Sequence, residues 1–461
     1  MKKQSSIGAE DTIAAISTPL GEGAIGIVRL SGKDAVRIAD SVFRSKKGKL
    51  PSSFRSFTSH FGHVHDKNTV VDEALLTVMR APKSYTKEEM AEISCHGGII
   101  PLKKTLGLVL GNGARLAEPG EFTKRAFING RLDLTQAEAV LDIIRAKTDA
   151  SLRAALGQLD GRLSSGLNKI RDELISVSAE IEASIDFPDE DVEIISGAKI
   201  RERLGSVKEE ISRLLETADR GIILREGISC VICGKPNVGK SSMLNALIGR
   251  ERAIVTHIPG TTRDTIEEFI NILGIPFKLA DTAGITPTED IVEREGVLRS
   301  REHIETADLV LLVLDASSRL TDEDRVLLED TKGRQRIIVL NKIDLARKIS
   351  LAASKNETVA EVSAKSGEGI GGLKEKMSEK VFGGGVRATE GAVVTNARQK
   401  DALKRSHESL GAAIRAVDGK LSPELIAIEL RESLDCIGEM VGETVTDDIL
   451  DKVFSQFCIG K

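Results

Sequence analysis

SCVICGKPNVGKSSMLNAL, Ser229–Leu247, reads as an apolar strand, a glycine-rich loop and a helix in immediate succession. Gly234 to Ser241 fill every fixed position of G-x-x-x-x-G-K-[ST]. The chemistry explains the spacing. Glycines let backbone N–H groups turn inward on phosphates, Lys240 supplies a point charge, and Ser241 can ligate Mg²⁺. The helix N-terminus that follows favours the same anion. The stretch therefore predicts a nucleotide-phosphate cradle formed by Asn237, Val238, Gly239, Lys240, Ser241 and Ser242.

Working outward, residues 222–382 alternate buried strands with helices, which predicts a doubly wound α/β domain. FKLADTAG, Phe277–Gly284, puts Asp281 at the end of an apolar strand, where a carboxylate can hold a metal shell. Thr282, Ala283 and Gly284 follow, and Gly284 can approach a γ-phosphate. IIVLNKID ends another strand with Asn341, Lys342, Ile343 and Asp344. An aspartate here accepts from guanine N1–H and the N2 amino group; adenine lacks that donor pair and would strand a buried carboxylate. The expected base is guanine, with Ser363, Ala364 and Lys365 supplying the last base-contacting loop. After Gly284 stands Ile285, where Ras-like GTPases place a water-orienting glutamine. An apolar side chain cannot orient water. Glu293, a cation near the phosphates, or Arg263 in GTTRD remain as alternatives.

The rest of the chain has a different texture. Residues 1–120 read as mixed α/β, with short apolar strands in TIAAIST and GAIGIVRLSG. From Leu134 to Ile185 apolar residues recur at three- and four-residue spacing, predicting one long amphipathic helix or two in succession. DFPDED breaks that run, and a further helix follows with Ile200, Leu204, Val207, Ile211 and Leu214 on one face. Beyond FGGGV, Phe382–Val386, the chain is helical again over Asn396–Val417, Pro423–Ile437 and Thr446–Phe457. Neither helical stretch has a partner of its own. They are expected to pack together as one bundle, with the α/β domain inserted between them.

Bulk properties bound the function. The 461 residues allow roughly three domains. A net charge of −5 with mixed signs argues against a protein held on nucleic acid mainly by non-specific phosphate contacts. Aromatic content of 3% without tryptophan limits base-stacking platforms. Five scattered cysteines give no disulfide framework, and no apolar run is long enough for a bilayer, so a cytoplasmic protein without a membrane partner is expected. Cys230 and Cys233 lie on the strand entering the phosphate loop and read as buried apolar residues, not a metal pair. His60, His63 and His65 are expected on different faces of a strand and read as surface or packing residues. SQFCIGK, Ser455–Lys461, invites a prenylation reading at Cys458, but Lys461 and Gly460 suit that signal poorly and no polybasic run precedes it.

GKPNVGKSS together with PGTTRD, DTAG, NKID and SA resembles the TrmE–Era–EngA group of P-loop GTPases. Outside that domain TIAAISTPLGEGAIGIVRLSG, EISCHGG, EPGEFTKRAFINGRLDLTQAEAV and the terminal FCIGK resemble the TrmE-type tRNA modification GTPases, across essentially the whole chain. The resemblance implies an α/β multidomain protein. Residues 1–120 would be an α+β folate-binding-like dimerisation domain, and 121–218 and 384–461 the two parts of an α-helical domain. Residues 219–383 would be an inserted Ras-like G domain. It implies a homodimer that hydrolyses GTP in a potassium-dependent way and acts with the flavoprotein MnmG (GidA), as a heterotetramer or larger complex. Together they would modify C5 of the wobble uridine (U34) of certain tRNAs with an aminomethyl-type or carboxymethylaminomethyl-type group. The one-carbon unit would come from 5,10-methylene- or 5-formyl-tetrahydrofolate.

Carried over residue by residue, the resemblance places potassium on Asn237, Thr256, Ile258 and Thr261, and magnesium on Ser241 and Thr262. His257, Pro259 and Gly260 complete the nucleotide-contacting loop. Glu293 would organise the attacking water and Arg263 becomes a switch-loop residue. A bound monovalent cation would offset developing charge as an arginine finger does. Folate contacts fall on Arg29, Glu92, Arg131 and Lys461; position 131 departs from the family's usual lysine. Cys458 would bring a thiol to the same site as the tail folds back. An Era-like binding switch and a folate-dependent methyl carrier regulated by its GTPase are the competing readings. The folate-type domain and FCIGK argue against the first, since Era-like proteins end in an RNA-binding module.

Overall fold

Strict alternation builds the N-terminal layer. In β2 (Gly23–Ser31) Val28 and Leu30 are fully buried on one face, while Arg29 points to the other. The computed structural model describes residues 11–186, 196–249, 268–280, 304–351, 357–384 and 391–461. The first sheet has seven strands. Chain order gives β1 (Ile13–Ile16), β2, β3 (Phe43–Ser45), β4 (Thr58–Asp66), β5 (Thr69–Met79), β6 (Met90–Gly97) and β7 (Arg115–Leu116); spatial order is β3-β4-β5-β6-β2-β1-β7. All neighbours pair antiparallel except β1 and β7. The helices Ala35–Val42 and Ile99–Gly111 cover one face, burying Ile38, Val42, Leu102 and Val109 against Val28, Leu30, Leu76 and Ile93. On the opposite face Ile13, Ala15, Met90 and Phe122 form a smaller core.

The helical run after Leu134 is three helices, not one or two: Leu134–Arg145, Asp149–Leu159 and Arg162–Asp186. Local backbone chemistry interrupts a period that side chains alone continue. Asp133 and Gln136 form a reciprocal capping box at the first start. Thr148 caps the second helix by accepting from Ser151 N, and Gly161 turns the chain at φ +80° before the third. Helix Gly197–Glu226 follows and ends one residue before the second sheet.

One apolar core joins the two helical stretches. Leu167, Leu174, Leu204 and Ile211 pack with Leu403, Leu410, Leu430 and Met440 from Ala397–Asp418 and Pro423–Val441. Residues 393–395 thread into it: Gln158 donates to Val393 O at 2.8 Å and Val394 N to Thr217 Oγ1 at 3.3 Å. The last helix, Asp447–Phe454, and the turn after it bring Phe454 and Phe457 against Leu134, Ala137 and Leu141.

The inserted sheet runs β13-β12-β11-β8-β10-β9. Its strands are β8 (Ile228–Cys233), β9 (Glu268–Ile272), β10 (Ile275–Ala280), β11 (Leu309–Asp315), β12 (Arg336–Asn341) and β13 (Thr358–Glu361). Only the β9–β10 hairpin is antiparallel. Leu309–Leu314 is completely buried, as a central parallel strand covered on both faces must be. Cys230 and Cys233 are buried on β8, and burial raises both thiols above their ordinary range. His60 stacks on Phe54 and His63 faces Glu73 at 3.4 Å; His63 and His65 share a face, contrary to expectation, with ring centres 6.0 Å apart, and no metal-binding cluster occurs among the described residues.

The closest approach in the bundle gives a direct test. A Cβ on Gly221 would stand 2.0 Å from Val394 O, a backbone atom that cannot step aside cheaply. Gly221→Ala should destabilise the helical core by about 1–3 kcal/mol, the usual cost of overpacking. The expected readout is a lower thermal unfolding midpoint of the full chain. A wild-type midpoint would mean that the 393–395 segment yields.

Candidate functional sites

The carboxyl ends of β8, β11, β12 and β13 lie side by side, and the predicted nucleotide residues gather there. Gly234 and Gly239 adopt φ of +150° and +97°, and Asn237 is also left-handed at +62°. Lys240 opens the helix Lys240–Ile248, its Nζ donating to Gly234 O at 2.7 Å and Lys235 O at 3.0 Å. Burial holds this ammonium below the ordinary lysine range. Ser241 and Ser242 are exposed on the first helical turn, and Asn237 is exposed in the preceding loop.

Asn341 joins the loops. Its Nδ2 donates to Val238 O at 2.8 Å and its Oδ1 accepts from Ala364 N at 3.0 Å. Lys342, left-handed at φ +66°, donates to Asn237 O at 2.8 Å and to Asp315 Oδ2 at 2.7 Å. Ile343 N donates to Val362 O at 3.3 Å. Ser363 Oγ donates to Asp344 Oδ1 at 2.7 Å, aligning the exposed carboxylate, and Lys365 is exposed on the same loop. Asp315 was missed in the sequence. Burial pushes its carboxyl up, but hydrogen bonds from Lys342 and Ser317 outweigh this and hold it below the usual carboxylate range. Its signal is a lone acid closing an otherwise wholly apolar strand.

Thr256, His257, Ile258, Pro259, Gly260, Thr261, Thr262, Asp281, Thr282, Ala283, Gly284 and Glu293 lie outside the described residues.

A second site forms on the outer face of the first sheet. Antiparallel pairing of β2 and β6 sets Arg29 opposite Glu92, and Arg29 Nε donates to Glu92 Oε1 at 2.8 Å. Arg29 Nη1 reaches Gly460 O at 3.2 Å. The tail is held there by backbone contacts: Pro119 and Ile459 form an antiparallel bridge, and Phe122 N donates to Lys461 O at 3.2 Å. Gly460 sits at φ +93°, and a Cβ there would meet Ile16 O at 2.4 Å. Burial and the nearby Arg29 push the half-buried Lys461 ammonium below its ordinary range, with Glu92 and Cys458 opposing. Cys458 is exposed beside it.

Arg131 comes in from the turn after helix Glu121–Ile128. Its Cζ lies 4.6 Å from the centre of the Tyr85 ring, and Arg29 Cζ lies 5.8 Å from the same ring. Arg29, Glu92, Arg131 and Lys461 thus surround one place, though sequence separation hides them from one another. Arg29 pairs with Glu92, Lys461 lies near both, and Arg131 shares the Tyr85 ring with Arg29, a set that suits a ligand with carboxylates and one hydrogen-bonding edge. Tyr85 was also missed; its signal is that it is the only tyrosine in the chain.

The Asn341 bridge predicts a defined defect. Asn341→Ala removes one donor and one acceptor that align two loops, so guanine-nucleotide affinity should fall about tenfold or more. Titration with GDP checks this; unchanged affinity would show that the loops hold without the bridge.

Comparison with known proteins gives the family. The model described as GTP-binding protein TrmE N-terminus matches residues 12–131, and that of the MnmE helical domain matches residues 134–458. The tRNA modification GTPase MnmE of Clostridioides difficile is 47% identical over 456 residues, covering 98% of this chain and 99% of that protein. The MnmE of Ligilactobacillus salivarius is 49% identical over 458 residues, covering 98% of each, as is that of Enterococcus faecalis. With the P-loop domain set inside a helical bundle and the tail closed onto the N-terminal sheet, the chain belongs to the MnmE (TrmE) family of tRNA modification GTPases.

Proposed function

We propose that this chain hydrolyses GTP to GDP and phosphate and uses that cycle in the modification of tRNA, at C5 of the wobble uridine (U34). Its partner in this reading is the flavoprotein MnmG, joined with a homodimer of this chain in a heterotetramer or larger complex. A tetrahydrofolate carrying a 5-formyl or 5,10-methylene group supplies the one-carbon unit. The observation that carries the proposal is the meeting of Arg29, Glu92, Arg131 and Lys461 on one sheet face, beside an exposed Cys458.

The residues divide the work by chemistry. Lys240 and the inward N–H groups of residues 237–242 bind the phosphates, and Asp344, aligned by Ser363, reads the guanine edge. Magnesium would be held by Ser241 and Thr262. Potassium would be held by the Asn237 carboxamide with Thr256, Ile258 and Thr261, where it offsets charge developing on the phosphates. Glu293 would organise the attacking water, as the family resemblance implies. At the folate-type site Glu92 accepts from the pterin edge, while Arg29, Arg131 and Lys461 bind carboxylates. The tail would bring the Cys458 thiol toward the same site, beside Lys461.

Mass spectrometry of tRNA from a strain lacking the gene should show loss of the wobble-uridine modification, restored by the wild-type chain. Unaltered tRNA in that strain would overturn the proposal. The Cys458→Ser protein should hydrolyse GTP at the wild-type rate without restoring the modification; full restoration removes the thiol from the chemistry. For the cation, replacing potassium by sodium should slow GTP turnover at least about tenfold, as loss of a preorganised charge does. Equal rates in the two salts would take Asn237 out of that role.

A further inference from the structure

We infer that Tyr85 and Arg131 form a stacked pair that positions the cations of the folate-type site, and that lysine cannot replace Arg131 in this chain without loss of binding. The inference rests on the folate reading above. Arg29 and Arg131 carry like charges, yet both guanidinium carbons lie within 6 Å of one ring, at 5.8 and 4.6 Å. The negative face of an aromatic ring attracts each and offsets their mutual repulsion. Arg29 has further anchors: Glu92, Gly460 O and the Phe122 ring at 5.6 Å. Arg131 is exposed and, among the described residues, has no hydrogen bond or ion pair to its guanidinium. The ring orients it and leaves its planar fork of donors open to a carboxylate.

The platform is itself fixed. Tyr85 Oη and Thr123 Oγ1 are 2.9 Å apart, and the next residue, Thr86, is buried with its Oγ1 2.6 Å from Ser31 Oγ. Two bonds tie this loop to the turn before Arg131: Asn129 Nδ2 to Thr86 O at 2.7 Å, and Lys87 Nζ to Gly130 O at 2.8 Å. Ring and guanidinium therefore keep their spacing before any ligand arrives, which lowers the ordering cost of binding. A lysine at 131 would keep the charge but not the plane. Its ammonium on a flexible stem is a point charge and cannot present a stacked, bidentate fork.

Calorimetric titration of the full chain with 5-formyltetrahydrofolate tests the pair. Wild-type protein should bind. Tyr85→Phe, which keeps the ring and drops only the Thr123 bond, should stay within about twofold of it. Tyr85→Leu and Arg131→Lys should each bind about tenfold more weakly, a difference of about 1.4 kcal/mol. Circular dichroism should show all three variants folded at the titration temperature, which separates lost positioning from lost folding. Wild-type affinity in Tyr85→Leu, or in Arg131→Lys, overturns the stacked pair and leaves the folate reading standing. Absence of binding by the wild-type chain overturns the folate reading and the pair with it.

Discussion

Neither half of the helical bundle can bury its apolar face alone. Leu163, Leu167, Leu174 and Ile181 line one stripe of a long helix, and Leu403, Leu410, Leu430 and Met440 line stripes that follow only after the G domain has been traversed. Each buried side chain of this kind contributes about 1.5–3 kcal/mol relative to exposure. The core exists only when both stretches meet. That requirement brings the two ends of the inserted domain back to one bundle, with the entering helix ending at Glu226 and the returning chain threading in again at Val393.

The same closure carries the tail to the N-terminal sheet. Phe454 and Phe457 pack on Leu134, Ala137 and Leu141, which aims the last residues at Pro119 and Phe122. From there Gly460 O meets Arg29 and Lys461 comes to rest beside it. This second site is therefore a product of tertiary closure. Loss of the bundle would dismantle it as well.

This contrast explains what could be read in the sequence. The phosphate cradle is contiguous, and its geometry follows from local backbone freedom at Gly234 and Gly239, so its motif is legible without a fold. The NKID loop is legible for a related reason: it closes an apolar parallel strand. The second site has no such signature. Arg29 and Glu92 are 63 residues apart, Arg29 and Gly460 431 apart, and only the register of β2 on β6 and the path of the tail make them neighbours. Resemblance located those residues; spacing could not. Helix breaks at Thr148 and Gly161 were illegible because the apolar period runs on across them, while the caps act on the backbone.

One helix stands between the two sites. Near the end of Leu134–Arg145, Asp142 accepts from Arg225 Nε at 2.7 Å, two residues before Gly227 turns the chain into β8 and the phosphate loop. One turn further on, Arg145 Nη2 donates to Gln456 O at 2.7 Å, two residues before Cys458. Burial pushes the Asp142 carboxyl up and the Glu138 charge adds to this, against the pull of Arg225 and Thr395. Breaking such a buried pair leaves an uncompensated charge and is costly. The strand that enters the G domain is thus fastened to the bundle beside its glycine and does not hang from Gly227 alone. The same helix end fastens the tail. Two sites that share no residue are held in register by contacts three residues apart on a single helix.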